Sequence, residues 1–119
     1  MNNRKSFIVG IKSTKLSNKE IIFLRRYKPW GIILFTRNIK NIKQALELTS
    51  SIKRIFKDKN YPILIDQEGG RINRLKNIIS FDNLTSEFFG NKYVTNRKEF
   101  EFFYKLFIDK TSYLLKSIG

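Results

Sequence analysis

Three short apolar runs, separated by two helical patterns, constrain the fold of this chain more than any other feature. The runs cover residues 6–11, 30–35 and 61–65 and are rich in isoleucine, leucine and phenylalanine, which is typical of buried strands. Strands that alternate with helices through short connections form parallel sheets with right-handed crossovers. The sequence therefore predicts an α/β fold with about three parallel strands, the first of them buried.

Local helix signals lie between the runs. Ser17 and Glu20 have the spacing of a capping box, and residues 41–44 form a second plausible cap. Pro29 is expected to end the first helix, with Lys28 before it in extended geometry. Apolar side chains recur at helical spacing after each cap: Ile21, Leu24 and Tyr27, then Ala45, Leu48, Ile52, Ile55 and Phe56.

The second half of the chain is less regular. Residues 71–96 show no sustained pattern, and Gly90 and Asn91 favour a loop. A connection of this length is usually functional or disordered. From about Arg97 an aromatic stripe at helical spacing predicts a helix that runs to the end of the chain, and such a stripe is typical of core packing.

Polar residues follow the second and third runs. Residues 36–38 are Thr-Arg-Asn, and residues 66–71 are Asp-Gln-Glu-Gly-Gly-Arg. The C-terminal ends of parallel strands share one rim, where α/β proteins place their sites, so Arg37 and Asp66 are expected to be neighbours. Asp66 and Glu68 would share one face if the third strand extends through them. The alternative is a plain Gly-Gly turn whose acidic groups are solvated or paired with arginines.

Composition narrows the chemistry. The 119 residues include no cysteine and no histidine. Disulfides and cysteine metal sites are therefore excluded, a zinc site is disfavoured, and the commonest general base is absent.

The charge and hydropathy patterns bear on partners. The formal net charge of +14 raises the alternative of a nucleic-acid-binding protein. The basic residues are dispersed and their longest runs are pairs, which argues against a nucleic-acid partner. No stretch approaches the roughly 20 apolar residues of a membrane span, and the start of the chain lacks the features of a signal peptide. We expect a cytoplasmic protein without a membrane partner.

Residues 31–38 and 65–75 together carry a family resemblance. They read Gly-Ile-Ile-Leu-Phe-Thr-Arg-Asn and Ile-Asp-Gln-Glu-Gly-Gly-Arg-Ile-Asn-Arg-Leu. In order and spacing they resemble two motifs of the N-terminal part of glycoside hydrolase family 3, most closely the bacterial β-N-acetylhexosaminidases of peptidoglycan recycling. The resemblance implies a (β/α)8 barrel, which usually needs about 250 residues. Residues 1–119 would then be a partial N-terminal family 3 domain whose barrel is not closed.

The resemblance also implies a reaction. Members of the family hydrolyse terminal β-linked N-acetylglucosamine in cell-wall muropeptides with retention, using an aspartate nucleophile and a loop histidine as acid/base, without a metal or organic cofactor. Both catalytic positions lie downstream of residue 119 in the family pattern, and this chain has no histidine. The expectation is therefore an N-terminal fragment that is inactive alone, with no catalytic residue of its own.

Sugar binding is what the resemblance assigns to this chain. Asp66 matches the family aspartate that accepts hydrogen bonds from hydroxyls of the terminal sugar, and Arg74 matches an arginine that holds the same sugar. A carboxylate that accepts and a guanidinium that donates suit adjacent hydroxyls. The scaffold around these two residues is expected to be Arg37, Glu68, Gly69, Gly70 and Arg71, with the glycines adopting backbone angles closed to larger residues.

Alternatives remain at this point. Asp66 and Glu68 could themselves be the two carboxyls, about 5 Å apart, that a retaining glycosidase needs. The chain could instead be a non-catalytic sugar-binding protein or the partner of a second polypeptide that completes the barrel, because three unclosed strands leave edges to be covered. A basic nucleic-acid-binding protein is the third reading.

Overall fold

The three apolar runs form one open, parallel sheet in the computed structural model, which describes residues 4–119. The strands lie in chain order and are β1 (Lys5–Gly10), β2 (Pro29–Leu34) and β3 (Ile63–Ile65). The helices are α1 (Asn18–Tyr27), α2 (Ile42–Phe56), α3 (Ser86–Thr95) and α4 (Arg97–Ser117). Both strand pairs are parallel, which confirms the predicted α/β fold with three parallel strands.

The first two helices begin where the caps predict. The Ser17 hydroxyl accepts from the main-chain N–H of Glu20, and the Glu20 carboxylate accepts in return from the Ser17 N–H. Asn41 caps α2 through the N–H of Gln44. These bonds satisfy N–H groups that would otherwise be orphaned at the start of each helix.

The end of α1 differs from the prediction. Lys28 is not extended but lies in the left-handed region, with φ 48° and ψ 62°. In this conformation its N–H donates to the Leu24 carbonyl at 3.0 Å, which satisfies one of the last carbonyls of the helix. Closure of the helix end therefore outweighs the preference of a residue before proline for extended geometry.

Helices α1 and α2 cover one face of the sheet. A buried cluster joins them to the strands and contains Ile11, Leu24, Ile32, Leu34, Leu48, Ile52 and Tyr61. Tyr61 closes this cluster: its ring stacks on Phe56 with centroids 3.8 Å apart, and its hydroxyl donates to the Pro29 carbonyl at 2.8 Å. This hydrogen bond fixes the start of the second strand.

The opposite face and the outer edge of β1 are open. The prediction that this first strand is buried is wrong, because Phe7 is 37% and Ile8 46% exposed. The strand is apolar as expected, yet it lies at the edge of a sheet that has helices on one side only. Burial of an edge strand depends on what else packs against it, and the described residues supply no such cover.

Residues 71–96 contain an element that the sequence did not indicate. Helix α3 begins after Thr85, whose hydroxyl accepts from the Phe88 N–H at 3.0 Å. Gly90 and Asn91, predicted as loop, lie inside this helix. Its aromatic side chains pack edge-on against those of α4, as in the Phe88–Phe103 and Phe89–Tyr104 pairs. Tertiary pairing of this kind stabilises a helix whose own periodicity is weak.

Helix α4 begins at Arg97, as predicted, and its C-terminal half returns to the sheet. Leu114 and Ile118 join a second buried cluster with Ile39, Leu75 and Phe81. The Thr49 hydroxyl donates to the Ile118 carbonyl at 2.6 Å and so ties α2 to the end of α4. Within the described residues, no helix is both long enough and apolar enough to cross a membrane.

Candidate functional site

The candidate site lies at the C-terminal rim of the sheet, where Asp66 follows β3 directly. The strand ends at Ile65, so the condition under which Asp66 and Glu68 would share one face is not met. The chain turns instead: the Glu68 N–H donates to the Ile72 carbonyl at 3.0 Å, and the Glu68 side chain is exposed. The two glycines that follow Glu68 have positive φ angles, so extended geometry does not continue past Glu68.

Asp66 and Arg74, the two predicted sugar-binding residues, lie together. Arg74 Nη2 donates to Asp66 Oδ2 at 2.9 Å, and the side chains are 23% exposed for Arg74 and 40% for Asp66. Arg74 Nε is buried and has no hydrogen-bond partner among residues 4–119. The pair thus combines a partly accessible carboxylate with an unsatisfied buried donor, and buried donors in proteins are normally paired.

Phe35 links this pair to Arg37. The Arg74 guanidinium lies 5.4 Å and the Arg37 guanidinium 4.7 Å from the centre of the Phe35 ring, within the range of cation–π attraction. The predicted proximity of Arg37 and Asp66 is therefore indirect, because Phe35 and Arg74 connect the two side chains. The role of Phe35 was not predicted, because an aromatic residue at the end of an apolar strand is normally assigned to the core.

Arg37 is fixed by the main chain of the first strand. Its Nε donates to the Ile11 carbonyl at 3.0 Å. The buried Asn38 donates to the same carbonyl at 3.1 Å and to the Ser13 carbonyl at 2.9 Å, and it accepts from the Phe35 N–H at 2.9 Å. These bonds hold the ends of β1 and β2 in register, so the polar residues after the second strand organise the rim.

Gly10 makes room for this arrangement. A β-carbon on it would lie 3.2 Å from the Phe35 ring and 3.3 Å from Arg37 Nη2, closer than ordinary van der Waals contact. The sequence indicates Gly10 only as part of the first strand. A glycine at the C-terminal end of a strand is the sequence signal that indicates such a close approach.

Gly69 and Gly70 shape the turn after Asp66. Their φ angles are +93° and +56°, which are accessible to glycine at no steric cost. A β-carbon on Gly69 would lie 2.4 Å from the Leu84 carbonyl oxygen, so the main chain of the next loop approaches this residue directly. The Gly70 N–H donates to the Phe81 carbonyl at 3.0 Å, which brings that loop against the turn.

The remaining predicted scaffold residues, Glu68 and Arg71, have exposed side chains. No ion pair involves either of them in the described part of the chain. The structure therefore brings together Asp66, Arg74 and, through Phe35, Arg37. It places Glu68 and Arg71 at the edge of that group, and their scaffold role stays a prediction.

Gln67 is the residue of the motif whose contacts were missed. Its Oε1 accepts from the main-chain N–H groups of Arg74 at 2.8 Å and of Leu75 at 3.2 Å, and its Nε2 donates to Asn73 Oδ1 at 3.1 Å. Asn73 is 3% exposed and donates to the Ile79 carbonyl. An amide can bridge both donors and acceptors, but the sequence does not reveal which main-chain groups will be within its reach.

Glu20 stabilises the rim below the first strand. Its carboxylate accepts from the Lys12 N–H at 2.8 Å and from the Ser17 N–H and hydroxyl at 2.8 and 2.6 Å. Burial alone would raise the pKa of Glu20, but these hydrogen bonds to its charged form outweigh burial and hold the pKa below the usual 4.5. Glu20 therefore binds the loop after β1 to the start of α1.

The described residues contain no cluster of three or more acidic, cysteine or histidine side chains that could hold a metal ion. The polar groups of the site are instead one carboxylate, guanidinium groups and main-chain amides. Groups of this kind bind hydroxyls and other neutral polar partners by hydrogen bonding.

Comparisons with curated proteins and with solved structures find relatives of one kind. No family model matches the chain. Over 71 residues the chain is 38% identical to a β-hexosaminidase of Haemophilus influenzae and 42% identical to one of Haemophilus ducreyi, matches that cover 60% and 58% of the chain. It spans about a fifth of the length of these relatives.

Solved structures agree. NagZ from Neisseria gonorrhoeae in complex with N-trifluoroacetyl-D-glucosamine superposes with a TM-score of 0.55 and 35% identity, over 64% of this chain and 22% of NagZ. A glycoside hydrolase family 3 β-N-acetylglucosaminidase from Paenibacillus gives a TM-score of 0.56 and 27% identity, over 63% and 15% of the two chains.

The resemblance to glycoside hydrolase family 3 is confirmed. The structural match also supports the predicted fold class, namely α/β with three parallel strands in an open sheet, which superposes on part of a family 3 structure. The matched region of the family 3 relatives is one segment of a much longer chain.

Proposed function

We propose that residues 1–119 form a partial N-terminal domain of a family 3 glycosidase that acts on terminal β-linked N-acetylglucosamine in cell-wall muropeptides. The Asp66–Arg74 pair at the end of β3 is the observation that carries this proposal. A carboxylate and a guanidinium held 2.9 Å apart offer acceptors and donors to two neighbouring hydroxyls of one sugar ring. The cytoplasmic location predicted from the sequence belongs to the same proposal.

The unsatisfied donor supports a ligand at this place. Arg74 Nε is buried without a partner among the described residues, and an unpaired buried donor costs about 1–3 kcal/mol. A sugar hydroxyl that accepts from Arg74 would remove this cost. The N-acetylglucosamine class is supported by the relative NagZ, whose structure is of a complex with N-trifluoroacetyl-D-glucosamine.

Direct binding tests the sugar site. We expect N-acetylglucosamine to shift the amide resonances around residues 66–75 in a nuclear magnetic resonance titration of the 119-residue chain. Asp66→Ala should weaken the affinity at least tenfold, because a hydrogen bond to a charged group contributes about 1.5–3 kcal/mol. Asp109→Ala is the matched control, since Asp109 also accepts from a cation at 2.9 Å, Lys105 on the surface of α4. Equal affinities of the two variants would refute the assignment.

We propose further that the 119-residue chain alone does not hydrolyse the sugar. It has no histidine, and neither the loop histidine nor the aspartate nucleophile of the family pattern has a counterpart among its motifs. The purified chain should release no nitrophenol from a nitrophenyl N-acetylglucosaminide above a heat-treated sample. Release that is abolished by Asp66→Ala would overturn this part of the proposal and would reopen Asp66 and Glu68 as a catalytic pair.

A second candidate is a binding partner of another polypeptide that completes the barrel. The observation in its favour is the open face and edge of the sheet, where Phe7, Ile8 and Trp30 are partly exposed. Apolar strand edges of this kind pair readily with further chain. A histidine-containing partner that co-purifies stoichiometrically with the chain would support this candidate, and a chain that stays monomeric at high concentration without partners would count against it.

A further inference from the structure

Arg74 lies in a segment without helix or strand, although it forms half of the candidate sugar site. Residues 74–78 form turns after the tight Gly69–Ile72 bridge. A guanidinium at the end of a flexible side chain keeps its position only if the main chain beneath it is fixed. The main-chain N–H groups of Arg74 and Leu75 therefore need partners from elsewhere in the chain.

Gln67 supplies those partners. Its Oε1 accepts from both N–H groups, at 2.8 Å from Arg74 and 3.2 Å from Leu75. Gln67 is also the residue next to Asp66. One side chain thus fixes the distance between the main chain that carries the carboxylate and the main chain that carries the guanidinium.

Asn73 sets the orientation of this amide. Its Oδ1 accepts from Gln67 Nε2 at 3.1 Å, and its Nδ2 donates to the Ile79 carbonyl at 3.1 Å. Asn73 Oδ1 also accepts from the Leu75 N–H at 3.2 Å. Asn73 is almost fully buried, so its three bonds are shielded from competing water. An inverted Gln67 amide would place its NH2 group against two N–H donors and its oxygen against another oxygen, which disfavours the flip.

We infer that Gln67 is a positioning residue of the sugar site: its amide, oriented by Asn73, holds the Arg74 main chain so that the guanidinium meets Asp66. Gln67 itself contacts neither Arg74's side chain nor the carboxylate of Asp66 in the bonds described above. The expected effect on sugar affinity rests on the proposed function. The positioning of Arg74 by Gln67 does not depend on it.

The test replaces Gln67 and reads out the Arg74 side chain. In Gln67→Met the Arg74 main-chain N–H loses its acceptor, while the Leu75 N–H keeps only Asn73 Oδ1 at 3.2 Å. The Arg74 Nε–H resonance should therefore shift, and its exchange with water should accelerate at least tenfold. Gln44→Met is the matched control, because the Gln44 amide makes equivalent bridges elsewhere, to the Lys40 N–H and to the Thr14 and Asn38 carbonyls. It should leave the Arg74 resonance unchanged.

A double-mutant cycle separates positioning from general stability. If Gln67 acts through Arg74, Gln67→Met should weaken N-acetylglucosamine binding at least fivefold in the otherwise unchanged chain and by less than twofold when Arg74→Met is already present. Equal losses in both backgrounds, or the same Arg74 exchange rate in Gln67→Met and Gln44→Met, would overturn the inference.

Two further outcomes are informative. If Gln67→Met does not fold, Gln67→Glu keeps the acceptor oxygen, loses the donor to Asn73 and adds a negative charge. It should still accelerate Arg74 Nε–H exchange, by a smaller factor. An unchanged exchange rate in that variant would count against the role of Asn73 in orienting the amide. If the unmodified chain binds no sugar, the proposed function fails, whereas the exchange measurement still decides whether Gln67 positions Arg74.

Discussion

Replacing Gly69 with alanine should destabilise the fold by about 3 kcal/mol or more. The φ of +93° is unfavourable for any residue with a β-carbon, and such a conformation costs on the order of 1–3 kcal/mol. The new methyl group would also lie 2.4 Å from the Leu84 carbonyl oxygen. This oxygen belongs to the main chain, and the Leu84 N–H donates to the Phe81 carbonyl at 3.0 Å, so the loop cannot yield without losing bonds. Overpacking of this kind costs roughly a further 1–3 kcal/mol.

Gly90→Ala provides a control of opposite sign. Gly90 lies inside α3, and a β-carbon on it would meet nothing within 4 Å. Alanine in an exposed helix position stabilises by about 0.5–1 kcal/mol relative to glycine. Urea denaturation followed by circular dichroism would measure both free energies of unfolding. A Gly69→Ala variant within 1 kcal/mol of the unmodified chain would refute the argument from backbone angle and close contact.

Three further changes test other parts of the fold. Tyr61→Phe should cost about 1 kcal/mol at neutral pH, because it removes the hydrogen bond to the Pro29 carbonyl. Burial raises the pKa of Tyr61 from 10.0 to about 12, so the unmodified chain should lose stability between pH 10 and 12 by denaturation titration, and the variant should lack this loss. The pKa of Glu20 is held below 4.5, so the contribution of its carboxylate to the free energy of unfolding is complete above pH 4.5 and disappears as the pH falls through the lowered value. In Glu20→Gln the free energy of unfolding should therefore depend less on pH in the acid range. Asn38→Ala should cost about 2 kcal/mol or more in urea denaturation, because the Phe35 N–H and the Ser13 carbonyl lose this partner and the Ile11 carbonyl keeps only Arg37 Nε. A loss below 0.5 kcal/mol would contradict the bridging role of Asn38.

The proposed function assigns sugar binding, but not cleavage of the glycosidic bond, to this chain. Under the proposed function, Asp66 and Arg74 hold the terminal sugar, and we expect these 119 residues not to supply the groups that act on the glycosidic bond. Binding without turnover is then the expected behaviour of the chain. Addition of the remaining part of a related β-hexosaminidase is the experiment that would connect the two halves of the reaction.

The sequence predicted which residues form the candidate site but not the hydrogen bonds between them. Asp66 and Arg74 were named because their motif resembles that of a family, and the structure places them 2.9 Å apart. Gln67 lies between two acidic residues in the same motif, yet its partners are main-chain groups seven and eight positions away. Sequence patterns carry residue type and spacing, whereas the reach of an amide depends on how the turn at Gly69 and Gly70 folds back.

Some elements of the fold follow from local physics and others do not. The cap at Ser17 and the stripe along α2 depend on residues three or four positions apart, so the sequence by itself determined where these helices begin and which face is buried. It also determined that apolar runs alternate with helices, and hence the parallel sheet. Tertiary structure alone decided that β1 is exposed, that Gly90 lies inside a helix, and that Lys28 closes α1. Each of these outcomes depends on packing partners or chain closure supplied by distant residues, and no short window of sequence contains that information.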